Sequence, residues 1–415
     1  MKFLSRIRSK LSVRTQPITP LFMRKKVAAA VIGVLSFSLP AAVAPVFAIE
    51  PGVVQTVGQL STIPAPTLGA TAWLSLDANS GQVIAAQGLD DQVEPASLTK
   101  LMTAFLVFDA LEKGRLSLDQ LVPISEYAWR TEGSRMFVEP NTQVSVNDLL
   151  QGVIVQSGND ATVALAEAVA GSEEAFVTLM NEEAARQGLT QTHFENASGL
   201  PGATHLTSVR DLGTLAQNLV QRFPQHLHYY GQKEFEYNKI KQPNRNRLLW
   251  LDNTVDGLKT GHTNSAGYCL VSTAVRDGRR IISVVVGTAN DAARTENSLK
   301  LLNWSFQNFE TVELYGARQP VVSARVWEGE AESVGLGVSK PVMITVPRGR
   351  AAELQPIAEY AQPLIAPVAD NAKVGQVKLM LGDTVLRQDD LVALEAVPQA
   401  GFFGRMADKV RMWFE

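Results

Sequence analysis

The alternation of apolar and polar positions changes period several times along the chain, and each change marks an element. Ala72-Trp73-Leu74-Ser75-Leu76-Asp77 and Gly81-Gln82-Val83-Ile84-Ala85-Ala86 alternate as strands do, with Ala78-Asn79-Ser80 between them, which predicts a hairpin. From Ser97 to Lys113 the period lengthens: Leu98, Leu101, Met102, Phe105, Leu106, Phe108 and Leu111 recur at helical spacing, and Gly114 supplies the stop. Further helices are predicted over Val146 to Ala170, Glu173 to Gln187, Ser208 to Arg222 and Ala292 to Phe309. Tyr268 to Arg276 and Arg280 to Gly287 read as strands joined at Asp277-Gly278. Early and late strands with a helical block between them point to an α/β or α+β layout. No internal repeat of solenoid or propeller type is present.

Beyond about Val312 the pattern turns to short strands separated by Gly, Pro and Asp: Val321 to Val326, Pro341 to Val346, Gln376 to Met380 and Leu391 to Leu394. That is the signature of a small all-β domain. The expected organisation is a leader over 1–48, a larger domain over 49–310, a β-rich domain over 311–398 and a terminal helix over 399–415. In that last segment Phe402, Phe403, Met406, Ala407, Val410, Trp413 and Phe414 fall on one face, with Arg405, Asp408, Lys409 and Arg411 mostly on the other. A helix of this kind is too short to span a bilayer and suits its interface. The competing expectation is a terminal helix docked on the β-rich domain.

The leader follows from its own pattern. Arg24-Lys25-Lys26 precedes thirteen nearly non-polar residues from Val27 to Leu39, then Pro40 and the small-residue run to Ala48. This is a secretory signal with cleavage expected after Ala48 or Ala44, the apolar run being short for a span. Met23 would open a signal of ordinary length, so translation is expected to begin there.

Composition narrows the class. The 415 residues, 46% hydrophobic and 19% charged, are ample for two buried cores. The formal charge is −3, but the first 48 residues hold eight basic and no acidic side chains, which leaves 30 basic against 41 acidic, or −11, in the rest. That balance argues against a general nucleic-acid binder. The single cysteine, Cys269, excludes an internal disulfide and a multi-cysteine zinc site. It lies in an apolar strand pattern and is expected to be a small core residue.

Three short motifs carry chemistry: Ser97-Leu98-Thr99-Lys100, Ser157-Gly158-Asn159 and Lys259-Thr260-Gly261. In the first, a lysine three residues after a serine shares its helix face, so the amine reaches the hydroxyl. A helix N-terminus and burial both lower the lysine pKa, and a neutral Lys100 can act as general base on Ser97. In the second, Ser157 is placed to relay a proton and Asn159 to hydrogen-bond a peptide carbonyl, or Asn159 or Asp160 simply caps the following helix. In the third, expected just before the Tyr268 strand, Lys259 supplies positive charge, and the missing Cβ of Gly261 lets a substrate backbone approach. Each motif alone is common; the three in this order are not.

With these motifs, and with Glu94-Pro95-Ala96-Ser97-Leu98-Thr99-Lys100-Leu101-Met102-Thr103, Val155-Gln156-Ser157-Gly158-Asn159-Asp160-Ala161, Asn196-Ala197-Ser198-Gly199-Leu200 and Val255-Asp256-Gly257-Leu258-Lys259-Thr260-Gly261-His262-Thr263, the chain resembles the serine D-alanyl-D-alanine carboxypeptidases, the low-molecular-mass penicillin-binding proteins. The resemblance covers nearly the whole chain. It implies a β-lactamase/transpeptidase-like catalytic domain followed by a β-rich domain. Ser97 would be acylated by the penultimate D-alanine carbonyl of a peptidoglycan stem pentapeptide, with Lys100 taking its proton. Ser157 with Lys259 would pass a proton to the leaving amine, and Asn159 would orient the substrate. The N–H groups of Ser97 and His262 would form the oxyanion hole, and Thr260 and Arg294 would help hold the terminal carboxylate. Penicillins are the expected inhibitors, no metal or cofactor is expected, and the expected location is the periplasmic face of the cytoplasmic membrane, held peripherally by the C-terminal helix. D,D-endopeptidase, β-lactamase and idle wall-binding roles are the alternatives. A Ser-His-Asp triad using His262 is disfavoured because no histidine has a nucleophile-elbow context. Trp129 to Phe137 is expected beside the site, with Glu132 as a conceivable deacylating base.

Overall fold

The computed structural model describes residues 4, 7–17 and 56–414, so the expected signal segment 24–48 and both expected cleavage positions lie outside the described residues. The chain divides into two compact units. One comprises Thr56–Thr311 with Thr345–Gly349; the other comprises Val312–Ile344 and Arg350–Glu415 together with the described N-terminal residues.

The first unit is built on a five-stranded antiparallel sheet in the order Val83–Gln87, Ala72–Asp77, Arg279–Thr288, Gly267–Arg276, Val255–Thr263. Alternation along the central strands divides the interior in two. Ile281 and Val285 join Trp73, Leu270, Leu301, Leu302 and Phe309 on one face, under the helix Asp291–Asn308. Ile282, Val284 and Val286 join Leu74, Leu76 and Val271 on the other, with the helical block. Because strand side chains point alternately to opposite faces, one apolar run fills both cores.

Within the helical block, Lys100–Glu112 is apolar on every side, and ten residues after Lys100, from Leu101 to Ala110, are buried. A helix hydrophobic all round is a core helix, and this one fixes the turn before it. The expected continuous helix over Val146 to Ala170 is interrupted. Val146–Gln151 widens into a turn over Gly152–Gln156, Ser157 adopts a left-handed conformation at φ 66°, and a new helix runs Asn159–Ala170. The left-handed residue ends one helix and lets the chain restart. Glu173–Arg186 and Val209–Arg222 follow, each capped by a serine, Ser172 and Ser208, whose hydroxyl accepts from the amide three residues on.

The second unit is the expected β-rich domain. Its sheet runs in the order Ser12–Pro17, Leu354–Gln362, Lys373–Leu381, Thr384–Ala393, Ser333–Gly337, Pro320–Trp327, Leu364–Ile365. Val326, Val334, Leu336, Ala358, Leu391 and Ala393 form its core. The first strand lies before Met23, where the sequence had suggested no element. Helix Phe402–Met412 buries none of its residues. Its polar side meets the β-rich domain through Asp408, which accepts the Glu328 amide at 2.8 Å. Its apolar side faces outward, with Phe403 86% and Trp413 91% exposed.

Candidate active site

Ser97 sits in a tight turn, Ala96–Thr99, that leads directly into Lys100–Glu112. Leu98 is fully buried and its amide donates to Pro95 O at 3.0 Å, while Ala96 holds a positive φ of 47°. A non-glycine residue in that region marks a constrained turn, here immediately before the serine. Ser97 lines a cavity of about 820 Å³. Lys100 lies beneath it, 1% exposed, with Nζ 3.1 Å from Ser97 Oγ, 2.7 Å from Asn159 Oδ1 and 2.5 Å from Ser198 O. Burial, reinforced by the charge of Arg245, lowers Lys100 to about 7. Two of its neighbours are carbonyl oxygens, which only accept. A neutral amine therefore gives its two hydrogens to Asn159 and Ser198 and turns its lone pair to the Ser97 hydroxyl.

Asn159 does not cap its helix. Its amide Nδ2 donates to Glu132 O at 2.6 Å while Oδ1 receives Lys100, and its own N–H donates to Ser134 O at 2.6 Å. Asp160, fully buried, accepts from the amides of Met136, Phe137 and Val138. These bonds tie the 132–138 loop to the wall of the cavity, where Gly133 and Ser134 line it. Glu132 contributes only its carbonyl; the residue is exposed and outside the cavity lining, which argues against a deacylating carboxylate. Ser157 also lines the cavity, 2% exposed, with no hydrogen-bond partner for its hydroxyl among the described residues.

Lys259, Thr260 and Gly261 lie within the edge strand Val255–Thr263 itself, not in a turn ahead of the next one, in antiparallel register with Val271, Leu270 and Cys269. Gly261 lines the cavity and has a second role besides the one expected. A Cβ there would come within 3.1 Å of Pro95 O and 3.3 Å of both Ala96 Cβ and Leu98 Cγ, so the bare Cα makes room for the turn that carries Ser97. Gly199, at φ 88°, abuts the same turn even more closely: its Cβ would fall 1.9 Å from Ala96 O. Lys259 is 2% exposed and donates to Thr260 O at 3.1 Å. Burial, with Lys100, Arg245 and Arg294 nearby, holds its pKa well below the ordinary lysine value.

Thr260, His262 and Arg294 reach the cavity too. Arg294 is paired with Asp291, while its Nε is buried without a partner among the described residues. The exposed ring of His262 packs on Tyr268 at 4.0 Å, and the contact with Ser97 that a triad needs is not among its interactions. Cys269 is fully buried, and burial raises its thiol to about 11, as suits a core residue. Arg245, which belongs to none of the three motifs, lines the cavity and depresses both lysines. Its only signal is the polar run Gln242-Pro243-Asn244-Arg245-Asn246-Arg247, which looks like a surface loop. Among the described residues no group of three or more His, Cys, Asp or Glu side chains could hold a metal ion.

A buried lysine, a half-open serine and a cationic far wall make a site for acyl transfer to serine from a substrate with an anionic end. Comparison with known proteins agrees. Residues 59–290 match the family model described as D-alanyl-D-alanine carboxypeptidase, and residues 309–399 match the C-terminal domain of penicillin-binding protein 5. The chain is 42% identical over 361 residues to D-alanyl-D-alanine carboxypeptidase DacC of Escherichia coli, covering 85% of this chain and 90% of that one. Penicillin-binding protein 5 from Haemophilus influenzae superposes with a TM-score of 0.79 at 39% identity, over 81% of this chain and all of the other. Penicillin-binding protein D2 from Listeria monocytogenes, solved in an ampicillin-bound form, superposes at 0.55 with 32% identity, over 59% of this chain and all of the other. By its fold, its site and these relatives, the chain belongs to the D-alanyl-D-alanine carboxypeptidase family.

Proposed function

We propose that this chain is a serine-type carboxypeptidase that removes the terminal D-alanine from peptidoglycan stem pentapeptides through an acyl-enzyme on Ser97. The observation that carries the reading is the placement of Lys100 Nζ between two carbonyl acceptors and Ser97 Oγ. Neutral Lys100 takes the hydroxyl proton as Oγ attacks the penultimate D-alanine carbonyl. The backbone N–H groups of Ser97 and His262 stabilise the oxyanion. As the peptide C–N bond breaks, Ser157, with Lys259, hands a proton to the leaving amine and takes up the one Lys100 had removed from Ser97, so Lys100 is neutral again and D-alanine departs. Water then attacks the ester, Lys100 accepting its proton and returning it to Ser97 Oγ as the ester C–O bond breaks, which frees the shortened peptide and Ser97. Asn159 orients the substrate, and Lys259, Thr260 and Arg294 hold its carboxylate, with Arg245 adding positive charge. A β-lactam enters by the same attack. Its leaving nitrogen stays tethered in the acyl-enzyme and obstructs water, and the one carboxylate lining the cavity among the described residues, Asp291, is already paired with Arg247 and Arg294. That supports a long-lived adduct over β-lactamase turnover.

Incubation with labelled penicillin followed by mass mapping tests the reading, beside Ser97→Ala. A stable adduct on Ser97, absent from the variant, together with release of D-alanine from a pentapeptide, is the expected result; rapid hydrolysis without an adduct would identify a β-lactamase. We also place the mature chain on the outer face of the cytoplasmic membrane, in the periplasm. The basic–apolar–small pattern of residues 24–48 supports export, and the outward Phe402, Phe403, Val410 and Trp413 support lying in the bilayer interface. No described helix is long and apolar enough to cross a membrane. Deleting residues 401–415 should move the protein to the soluble fraction; persistence in the membrane fraction refutes the attachment.

A further inference from the structure

Residues 7–17 lie along the outer edge of the C-terminal sheet, and the groups that hold them all belong to that unit. Strand Ser12–Pro17 runs parallel to Leu354–Gln362, in register from Ser12 opposite Ile357 to Pro17 opposite Gln362. Ahead of the strand, Ile7 is 1% exposed. Arg8 Nε donates to Leu314 O at 2.7 Å, and its guanidinium stands 5.7 Å from the centre of the Tyr315 ring. Lys10 Nζ donates to Ala352 O at 2.8 Å, and Arg14 faces Glu359 at 3.9 Å. Main-chain pairing that sets direction and register, with separate receptors for successive side chains, is how a sheet edge recognises an extended peptide.

The receptors select one chemistry. Two carbonyl oxygens, an aromatic face and a carboxylate all favour cations, and a buried position ahead of them takes an aliphatic side chain. On its inner side Leu354–Gln362 pairs with Lys373–Leu381, so without residues 7–17 its outer main-chain groups form an open edge. Removal of the leader would open that edge in the mature chain.

We propose that this edge is a peptide-binding groove which, in the mature enzyme, takes an extended basic segment of a partner protein as an added parallel strand. Its aliphatic residue fills the Ile7 position, and its cations meet Tyr315, Ala352 O and Glu359. In the precursor, residues 7–17 fill the groove in cis. The proposal rests on the leader being removed, and its precursor form on translation from Met1, since a start at Met23 leaves the groove open from the outset; the experiment separates these ideas.

A fluorescent peptide of residues 4–17 is titrated by anisotropy against the chain recovered after export, its N-terminus read by mass spectrometry, and against the unexported full chain. The leader-free chain binds the peptide at least about tenfold more tightly than the full chain, whose groove is already filled. Ile7→Asp in the full chain loosens the cis segment and restores binding. In the leader-free chain, Tyr315→Ala and Glu359→Lys each weaken binding by about three- to tenfold. A peptide with Glu at positions 8, 10 and 14 does not bind. Unchanged far-ultraviolet circular dichroism and an unchanged thermal transition in every variant show that the C-terminal sheet is intact; penicillin acylation of Ser97 reports only the other unit. Should exported chain retain residues 7–17, the leader reading fails and the Ile7→Asp chain still tests the groove. Absence of binding to an open groove at about 100 µM peptide, or equal binding of a scrambled peptide, overturns the proposal.

Discussion

His205 Nε2 lies 2.8 Å from Thr99 Oγ1, and His205 Nδ1 accepts the Glu195 amide at 3.0 Å. Accepting at Nδ1 places the ring proton on Nε2, so a neutral imidazole donates to Thr99. The ring thus ties the turn bearing Ser97 to the loop over 195–200, whose Ser198 carbonyl receives Lys100. Thr103 Oγ1 makes a second tie, to Ala197 O at 2.7 Å.

Stability should depend on the charge of that ring. Burial, opposed by Glu195, lowers His205 to about 4, whereas an unfolded histidine titrates near 6.5. Between those values the unfolded chain holds the extra proton. The stability conferred by neutral His205 is therefore intact above about pH 6.5 and lost as pH falls through about 4, a difference of about 3 kcal/mol. Urea unfolding at neutral pH and near pH 4 measures it. Carboxylates titrate in the same range, so the quantity to read is the difference from His205→Gln, which should shrink as pH falls; a difference independent of pH refutes the assignment.

Acylation should follow the protonation of Lys100. Above about 7 its lone pair faces Ser97; below, a third N–H occupies that direction. The penicillin acylation rate should therefore rise with pH to a plateau, with its midpoint near 7, and fall about tenfold per pH unit on the acid side. Lys100→Arg, which stays charged, should lose about 10²- to 10⁴-fold at every pH. A flat profile in the native chain would remove Lys100 from the role of base.

Much of this machinery was legible in local pattern. The three-residue spacing of Ser97 and Lys100, the apolar run that buries Lys100–Glu112 and the alternation that splits Ile281 from Ile282 are properties of short segments, and the fold kept them. What escaped is set by distant partners. Val255–Thr263 contains Gly257, Lys259, Gly261 and His262, so it shows no strand alternation and is a strand only because Gly267–Arg276 pairs with it. Arg245 matters through its closeness to lysines far away in sequence, and the left-handed Ser157 that divides a predicted helix is invisible to periodicity. The second role of Gly261, making room for the Ser97 turn, is hidden because its contact with Ala96 spans most of the domain in sequence.

That contact gives a ranked pair of substitutions. Gly261→Ala brings a methyl group to 3.1 Å from Pro95 O, a conflict that a shift of a few tenths of an ångström relieves, so the chain should fold with acylation slowed about tenfold. Gly199→Ala combines a 1.9 Å approach to Ala96 O with a φ of 88°, and backbone strain alone costs about 1–3 kcal/mol. It should lower the melting temperature markedly, and Gly261→Ala only slightly. Equal thermal shifts would mean that the two glycines do not abut the turn as described.

Asn159→Asp offers the sharpest test of how the lysine is kept neutral. In the native chain Asn159 presents an uncharged carbonyl to Lys100 Nζ at 2.7 Å and an amide donor to Glu132 O. A carboxylate at the first contact would stabilise the ammonium form, and an opposite charge this close raises a lysine pKa by about one unit or more. The midpoint of the acylation profile should therefore move from near 7 to above about 8, with most of the lost rate recovered at high pH. Asn159→Ala removes the acceptor without adding charge and should slow acylation without that alkaline shift. If both variants lose activity equally with unmoved midpoints, Asn159 acts on the substrate and not on Lys100.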